Sequence, residues 1–311
     1  MLFPFFIVWS TLTPFSPKSI ISSITIYICP SKDSINKFYI TRTMSEKITF
    51  SFGRNWADFL KKISPNKLEI AKQSVQDFFG SQDFSGKTVI DIGSGSGIFS
   101  YSMYEMNADK ITSIDVDPFS VECTEHMRKK AKEPINWGVI HGSILDQTLI
   151  KELGSFDVVY SWGVLHHTGD MWSAIHNAAS LVAPQGQFYI AIYNHVTGIL
   201  GSKFWLKIKK IYNRFPLIGK YIMEPYYMVS FCVTSMLKFR NPFRIIREYH
   251  NKRGMNWRRD ITDWFGGYPY EYANIEEVFS YMKENFPDFQ LENVKSTNGL
   301  GNNWFLYKNK K

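Results

Sequence analysis

The sequence predicts an α/β protein: a doubly wound, mostly parallel seven-stranded sheet with a helical insertion between strands five and six. Three observations carry this. Short apolar runs alternate with helix-patterned stretches from residue 88 onward, a glycine-rich turn follows the first run, and a long basic and aromatic segment separates the fifth run from the last two. With 44% hydrophobic and 21% charged residues, the 311-residue chain can bury a sizeable core, which excludes wholesale disorder and collagen-like rods.

Residues 1–43 are rich in Phe, Ile, Ser, Thr and Pro and read as an appended or disordered extension. No basic residue precedes the apolar start, and Pro4 interrupts it, which disfavours a secretory signal. Met44 could serve as a natural start, so 44–311 is taken as the functional domain. Apolar positions 68, 70, 71, 75, 78 and 79 form a helical stripe after the start signal Ser64-Pro65. Strands are expected at Thr88–Ile92, Ile111–Ile114, Val139–Ile140, Val158–Tyr160 and Phe188–Ile192, with two more at Phe289–Val294 and Trp304–Tyr307. Cys29, Cys123 and Cys232 are far apart, offering neither a disulfide framework nor a cysteine zinc site, and point to a reducing, cytoplasmic compartment. The histidines lack ligand spacing tied to acids, so no metal is expected. No uninterrupted apolar run reaches the about 18 residues that a membrane-spanning helix needs.

The first strand runs into Asp91-Ile-Gly93-Ser94-Gly95-Ser-Gly97 and then an apolar helix from Ile98. Glycines here let the backbone approach a ligand closely, and the helix start presents free N–H groups. The dinucleotide fingerprint needs a third glycine where Ile98 stands, which disfavours NAD and FAD, and the spacing from Gly80 to Gly86-Lys87-Thr88 is wrong for a phosphate-binding loop. Twenty-two residues beyond Gly93, Asp115 ends the second strand, where an acid can accept both ribose hydroxyls of an adenosine.

These residues, with His141-Gly142-Ser143-Ile144-Leu-Asp146, Phe156 to His167 and Leu181-Val-Ala-Pro-Gln-Gly186 in order, resemble the class I S-adenosylmethionine-dependent methyltransferases over residues 68–194. The resemblance is closest to the small-molecule branch that includes ubiquinone-biosynthesis O-methyltransferases. Gln185 departs from the family's Pro-Gly-Gly turn, far from the cofactor. The resemblance implies a Rossmann-like methyltransferase fold and S-adenosyl-L-methionine as cofactor. It places Asp91, Gly93, Ser94, Gly95 and Gly97 at the cofactor's amino acid portion and Asp115 with Val116 at its ribose. Gly142, Ser143 and Ile144 would flank the adenine, and Ser161 and Trp162 would line the pocket after strand four.

A hydroxyl acceptor benefits from losing its proton, and histidine suits that at neutral pH, so His166 and His167 are the candidate catalytic residues. Tyr193, Asn194 and His195 share the same sheet edge. Asp263, Trp264 and Tyr268, set around Gly266-Gly267, suit either a flexible lid over the acceptor or a packed turn after the insertion, and Tyr193, Asn194, Asp263, Trp264 and Tyr268 are the candidate substrate contacts.

Residues 196–260 hold fourteen Lys or Arg against three acids, a charge of +11 in a chain whose total is +8. The insertion could be a cap over the acceptor, a peripheral membrane contact or a nucleic-acid surface; the apolar stretch Tyr221–Leu237 favours the first two. Replacing Lys207, Lys209 and Lys210 by Gln would weaken association with vesicles or RNA if the insertion binds an anionic surface, and leave it unchanged if the insertion is only a cap. The expected function is methyl transfer to oxygen of a small-molecule acceptor. An RNA nucleoside methyltransferase and a cofactor-binding, catalytically silent partner subunit are the alternatives, and oligomeric state stays open.

Overall fold

A computed structural model describes residues 65–253 and 257–311; the expected extension, residues 1–43, lies outside them. The chain enters through α1 (Pro65–Phe79) and then alternates β1 (Thr88–Ile92), α2 (Ile98–Glu105), β2 (Lys110–Asp115), α3 (Pro118–Lys130), β3 (Trp137–His141), α4 (Gln147–Leu153), β4 (Phe156–Trp162), α5 (Met171–Ser180) and β5 (Val182–Tyr193). A helical segment follows: α6 (Ser202–Arg214), the short α7 (Pro216–Ile218), a π-helical turn (Gly219–Met223), α8 (Glu224–Leu237), α9 (Pro242–Arg253) and α10 (Trp257–Gly266). Helix α11 (Ile275–Asn285) and the strands β6 (Phe289–Lys295) and β7 (Asn302–Asn309) complete the chain.

The seven strands lie in the order β3-β2-β1-β4-β5-β7-β6. The first five pair in parallel, and β7 is antiparallel to both β5 and β6, so the sheet is mixed at one end. Alternation of side chains along β1 splits the core into two. Ile90 and Ile92 face a cluster with Phe188, Ile190 and the α11 residues Val278 and Met282, while Val89 faces Val158, Tyr189 and the α1 residues Val75, Phe78 and Phe79. The polar anchors are local: Asp117 and Asp146 cap α3 and α4, and Asn274 with Glu277 forms a capping box on α11.

All seven expected strands form, β1 with the expected bounds and the other six longer than expected; β3 and β5 have specific reasons. Strand β3 extends two residues earlier, to Trp137, whose Nε1 donates to the Ser113 hydroxyl inside the sheet (2.9 Å). Strand β5 starts at Val182, not Phe188, and its pairing with β4 shifts register between Phe156 and Val158. Gln185 lies in that early part with φ of 57°, in the region glycine enters without strain, and its side chain donates to the Lys311 carbonyl (2.8 Å). The turn residue and the bulge conceal the strand from a pattern search.

Candidate active site

The carboxyl ends of β2, β1, β4 and β5 lie side by side, and on an open sheet that edge is where ligands bind. At β1 the turn has left-handed glycines, with φ of 74°, 55° and 74° at Gly93, Gly95 and Gly97. A Cβ on Gly97 would stand 2.8 Å from the Thr124 Cα, a backbone atom that cannot step aside. The N–H groups of Gly93 and Ser94 both donate to the Ile114 carbonyl (2.8 and 3.1 Å), and the Ser94 hydroxyl meets that of Thr124 at 2.8 Å. The turn is therefore clamped between β2 and α3.

Two carboxylates flank it. Asp91, 2% exposed, accepts a hydrogen bond from the Ser100 hydroxyl (2.5 Å). Burial raises its pKa to about 7, with the Asp115 charge adding to the effect, and among the described residues no cationic side chain opposes it. Asp115 accepts from the backbone N–H of Gly95 and of Asp117, each at 2.9 Å, while burial holds its pKa above the ordinary value. Beside it Val116 is exposed, its carbonyl contacts His141 Nε2 at 3.0 Å, and the Gly142 N–H donates to the Asp115 carbonyl at 2.9 Å. Ser143 turns its hydroxyl to the Leu145 N–H (3.1 Å), and the Ile144 side chain is buried in the hydrophobic core, leaving the Gly142–Ser143 backbone at the edge.

At β4 the two expected pocket residues part. Trp162 stands 38% exposed against Phe99 and Trp304, with ring centroids 5.9 and 6.4 Å away. Ser161 is completely buried and donates to the Ile92 carbonyl (3.0 Å), so its hydroxyl ties β4 to β1.

The histidine pair lies on a 3₁₀ turn, Leu165–His167, next to the end of β5. His166 is fully buried: Nδ1 accepts from the Tyr193 N–H (3.3 Å), its ring centroid lies 3.9 Å from that of Tyr193, and Nε2 has no hydrogen-bond partner. Burial, reinforced by the charges of His167 and Lys209, holds its pKa well below the usual range. His167 is partly exposed, contacts the Pro269 carbonyl through Nδ1 at 2.5 Å, and has its pKa lowered to about 3 by burial. With Nδ1–H donating to that carbonyl, Nε2 carries the lone pair.

Tyr193 packs on both histidines and Trp264 on Tyr193, Asp263 acts on Tyr193 through its charge, and Tyr268 precedes the Pro269 that meets His167; of the lid and the packed turn, the structure has the turn. Gly266 and Gly267 are buried at the end of α10; the Gly266 carbonyl accepts from Asn213 Nδ2 (2.8 Å) and the Gly267 N–H donates to the Asp263 carbonyl (2.9 Å). Downstream, the Glu271 and Ala273 N–H groups donate to the His166 and Tyr193 carbonyls, each at 2.9 Å. Glycine marks a packed turn here, with Tyr268 half-buried beside it. Asn194 is also reassigned, because its amide donates to the carbonyls of Thr297 and Gly299 (3.3 and 3.1 Å) and accepts from Asn303 (3.0 Å), fastening β5 to the β6–β7 loop. His195 faces away from the pair, toward Tyr272 and Glu277.

Lys209 is the residue the sequence hid. It is fully buried, donates to the Trp264 carbonyl, and holds Nζ 4.3 and 4.9 Å from the Trp264 and Tyr270 ring centroids. Burial lowers its pKa to about 7 against the opposing charge of Asp263. The three lysines of α6 therefore differ: Lys207 and Lys210 are exposed, whereas Lys209 shares the buried face of α6 with Trp205 and Tyr212. Among the described residues, no group of three or more His, Cys, Asp or Glu could hold a metal ion.

Residues 83–224, just under half of the chain, match the family model described as a methyltransferase domain. A ubiquinone biosynthesis O-methyltransferase of Methylobacterium sp. (strain 4-46) is 27% identical over 160 residues, covering 47% of this chain and 61% of that protein. A tRNA U34 carboxymethyltransferase of Idiomarina loihiensis is 31% identical over 109 residues, covering 35% and 33%. The chain thus spans less than two thirds of either relative's length. Among solved structures, PKMT2 from Rickettsia typhi in complex with AdoHcy superposes with a TM-score of 0.51 at 13% identity, covering 85% of this chain and 55% of that one, a likeness of fold. Sheet order and the match over residues 83–224 lead to one conclusion: this part of the chain is similar to methyltransferase domains and has the Rossmann-like fold of S-adenosylmethionine-dependent methyltransferases.

Proposed function

We propose that the protein methylates an oxygen of a small-molecule acceptor, using S-adenosyl-L-methionine. The observation that carries this reading is the juxtaposition, along one sheet edge, of a two-carboxylate glycine turn with a buried aromatic and histidine cluster. The donor chemistry fits the cofactor: Asp91 is a buried carboxylate without a cation, suited to the ammonium of the methionine portion, and Asp115 is a carboxylate fixed at the end of β2, suited to ribose hydroxyls. When bound, the cofactor supplies a methyl group activated by its sulfonium. The protein's part is to hold, orient and dry the reactants.

The glycine turn lets backbone approach the cofactor, and Trp162 forms an exposed aromatic wall beside it. Tyr193 and Trp264 offer the apolar side of the acceptor site, their rings perpendicular with centroids 5.8 Å apart. His167 Nε2 is assigned to accept the hydroxyl proton, since donation from Nδ1–H to the Pro269 carbonyl puts the ring's basic lone pair on Nε2. His166 orients Tyr193. Protonated Lys209 depresses the basicity of both histidines, and its loss of a proton near pH 7 relieves that effect.

The partial match to a tRNA-modifying enzyme, together with the basic insertion, supports RNA as a second acceptor class. Incubation with methyl-labelled cofactor, a metabolite extract and total RNA separates the two. Label in small molecules supports the reading, label in nucleosides replaces it, and cofactor binding without label means a silent subunit.

A further inference from the structure

Helices α6 to α9 present an unusual surface. Of the large hydrophobic side chains exposed among the described residues, most lie between Ile211 and Phe243, including Leu217 at 72%, Leu237 at 74% and Phe239 at 101%. They are ordered: Ile218, Ile222, Tyr226, Val229, Val233 and Met236 are all exposed, and their spacing of three or four residues continues from α7 through the π-helical turn along α8. Such an apolar stripe is costly in water and marks an interaction face.

The charge around it is mostly of one sign. Between Ile199 and Arg247, nine Lys and Arg side chains are exposed, and the acid of that span, Glu224, is 3% exposed and accepts from the Tyr212 hydroxyl (2.5 Å) and the Thr262 hydroxyl (3.1 Å). The next acid, Glu248 on α9, is partly exposed and paired with Arg244 (2.7 Å), so cations predominate around the apolar stripe. No helix among the described residues is long and apolar enough to cross a membrane.

We propose that this face docks on an anionic lipid bilayer, with the α7–α8 stripe in the headgroup and upper acyl layer and the surrounding Lys and Arg on lipid phosphates. A second copy fits less well, because a two-fold interface would press the same positive surface against itself. Nucleic acid fits less well because its phosphates would meet a row of apolar side chains. The opposite face of α6 contributes Trp205, Lys209 and Tyr212 to the aromatic cluster by Tyr193, so the helix that meets lipid also borders the acceptor side of the site.

The test is co-sedimentation of the whole protein with vesicles of phosphatidylcholine alone and of phosphatidylcholine with phosphatidylglycerol, over a salt series. Binding should require the anionic lipid and fall steeply with salt. Replacing the exposed Lys207, Lys210 and Lys220 by Gln should weaken it about a hundredfold at low salt, from about fivefold for each cation. V229S/V233S should weaken it as well, and both variants should melt and bind cofactor like the wild type. Failure of the wild-type protein to bind the anionic vesicles overturns the proposal. So does equal, salt-insensitive binding to both vesicle types, salt-sensitive RNA binding without vesicle binding, or a dimer that V229S/V233S dissociates while vesicles are ignored. All these readouts are independent of methyl-transfer activity, so the outcome stands whether or not the acceptor assignment holds.

Discussion

The Asp115 carboxylate accepts a hydrogen bond from the Gly95 backbone N–H at 2.9 Å, joining the acid that ends β2 to the middle of the glycine turn after β1. Its other oxygen takes the Asp117 N–H, so both oxygens are oriented before any ligand arrives. Asp115→Ala should therefore weaken cofactor binding by about 1 to 3 kcal/mol, through loss of a charged acceptor and of the turn's anchor. Asp115→Asn, which keeps the shape but loses the charge, should fall between. Calorimetric titration with S-adenosylmethionine checks this, and unchanged affinity in a folded Asp115→Ala protein rules out the ribose contact.

Asp91 gives the cofactor site a pH dependence. Its pKa in the folded protein, raised to about 7, means that near neutrality the carboxylate is about half protonated, and a cationic ligand group would favour its ionised form. Affinity should rise as pH increases through 7, with proton release on binding below that pH. Titrations in buffers of different ionisation enthalpy measure the released proton. Asp91→Asn should bind more weakly and without this dependence; an unchanged pH profile in the variant would put the ammonium elsewhere.

How much of this was legible in the sequence follows from how local each feature is. The glycine turn and Asp115 could be read because strand, turn and acid are contiguous, and positive φ at Gly93, Gly95 and Gly97 demands their residue type. The burial of Lys209 is invisible to the charge count along the chain, although Trp205, Lys209 and Tyr212 fall at the i, i+4, i+7 spacing of one helix face. The fastening role of Asn194 depends on Thr297 and Gly299, more than a hundred residues away, and nothing local to β5 encodes it. Gly266 and Gly267 leave lid and packed turn undecided in the sequence, because glycine serves flexible and tightly packed turns alike.

The histidine pair should weaken the fold in acid. His167 has a folded pKa lowered to about 3, against an unfolded value near ~6.5, so its contribution is complete above pH 6.5 and is lost as pH falls from there toward 3. Asp91 acts oppositely: its raised folded pKa stabilises at low pH and loses that effect as pH rises from about 4 to 7. Melting temperature followed from pH 7 to 4 should drop less steeply in His167→Gln and more steeply in Asp91→Asn. Parallel curves for wild type and His167→Gln would contradict an imidazole that the fold keeps neutral.

Lys209 opens the last window, on the alkaline side. Its folded pKa of about 7 lies below the unfolded value of 10.5, so between these values unfolding takes up a proton and stability should rise with pH; below 7 both states are charged and the burial penalty is constant. Lys209→Met fills similar volume without the charge. Replacing a buried charge by an apolar side chain is often neutral or stabilising by about 1 to 4 kcal/mol, less here for the lost bond to the Trp264 carbonyl. Urea unfolding at pH 6, 8 and 10 should show the wild type gaining stability with pH and the variant's advantage shrinking. Catalysis supplies the independent readout, because protonated Lys209 lowers the basicity of both histidines. At saturating cofactor, where Asp91 no longer titrates freely, wild-type kcat should rise through pH 7, and Lys209→Met should lose that limb. A kcat profile identical in the two proteins would leave Lys209 a packing residue with no hold on the proton acceptor.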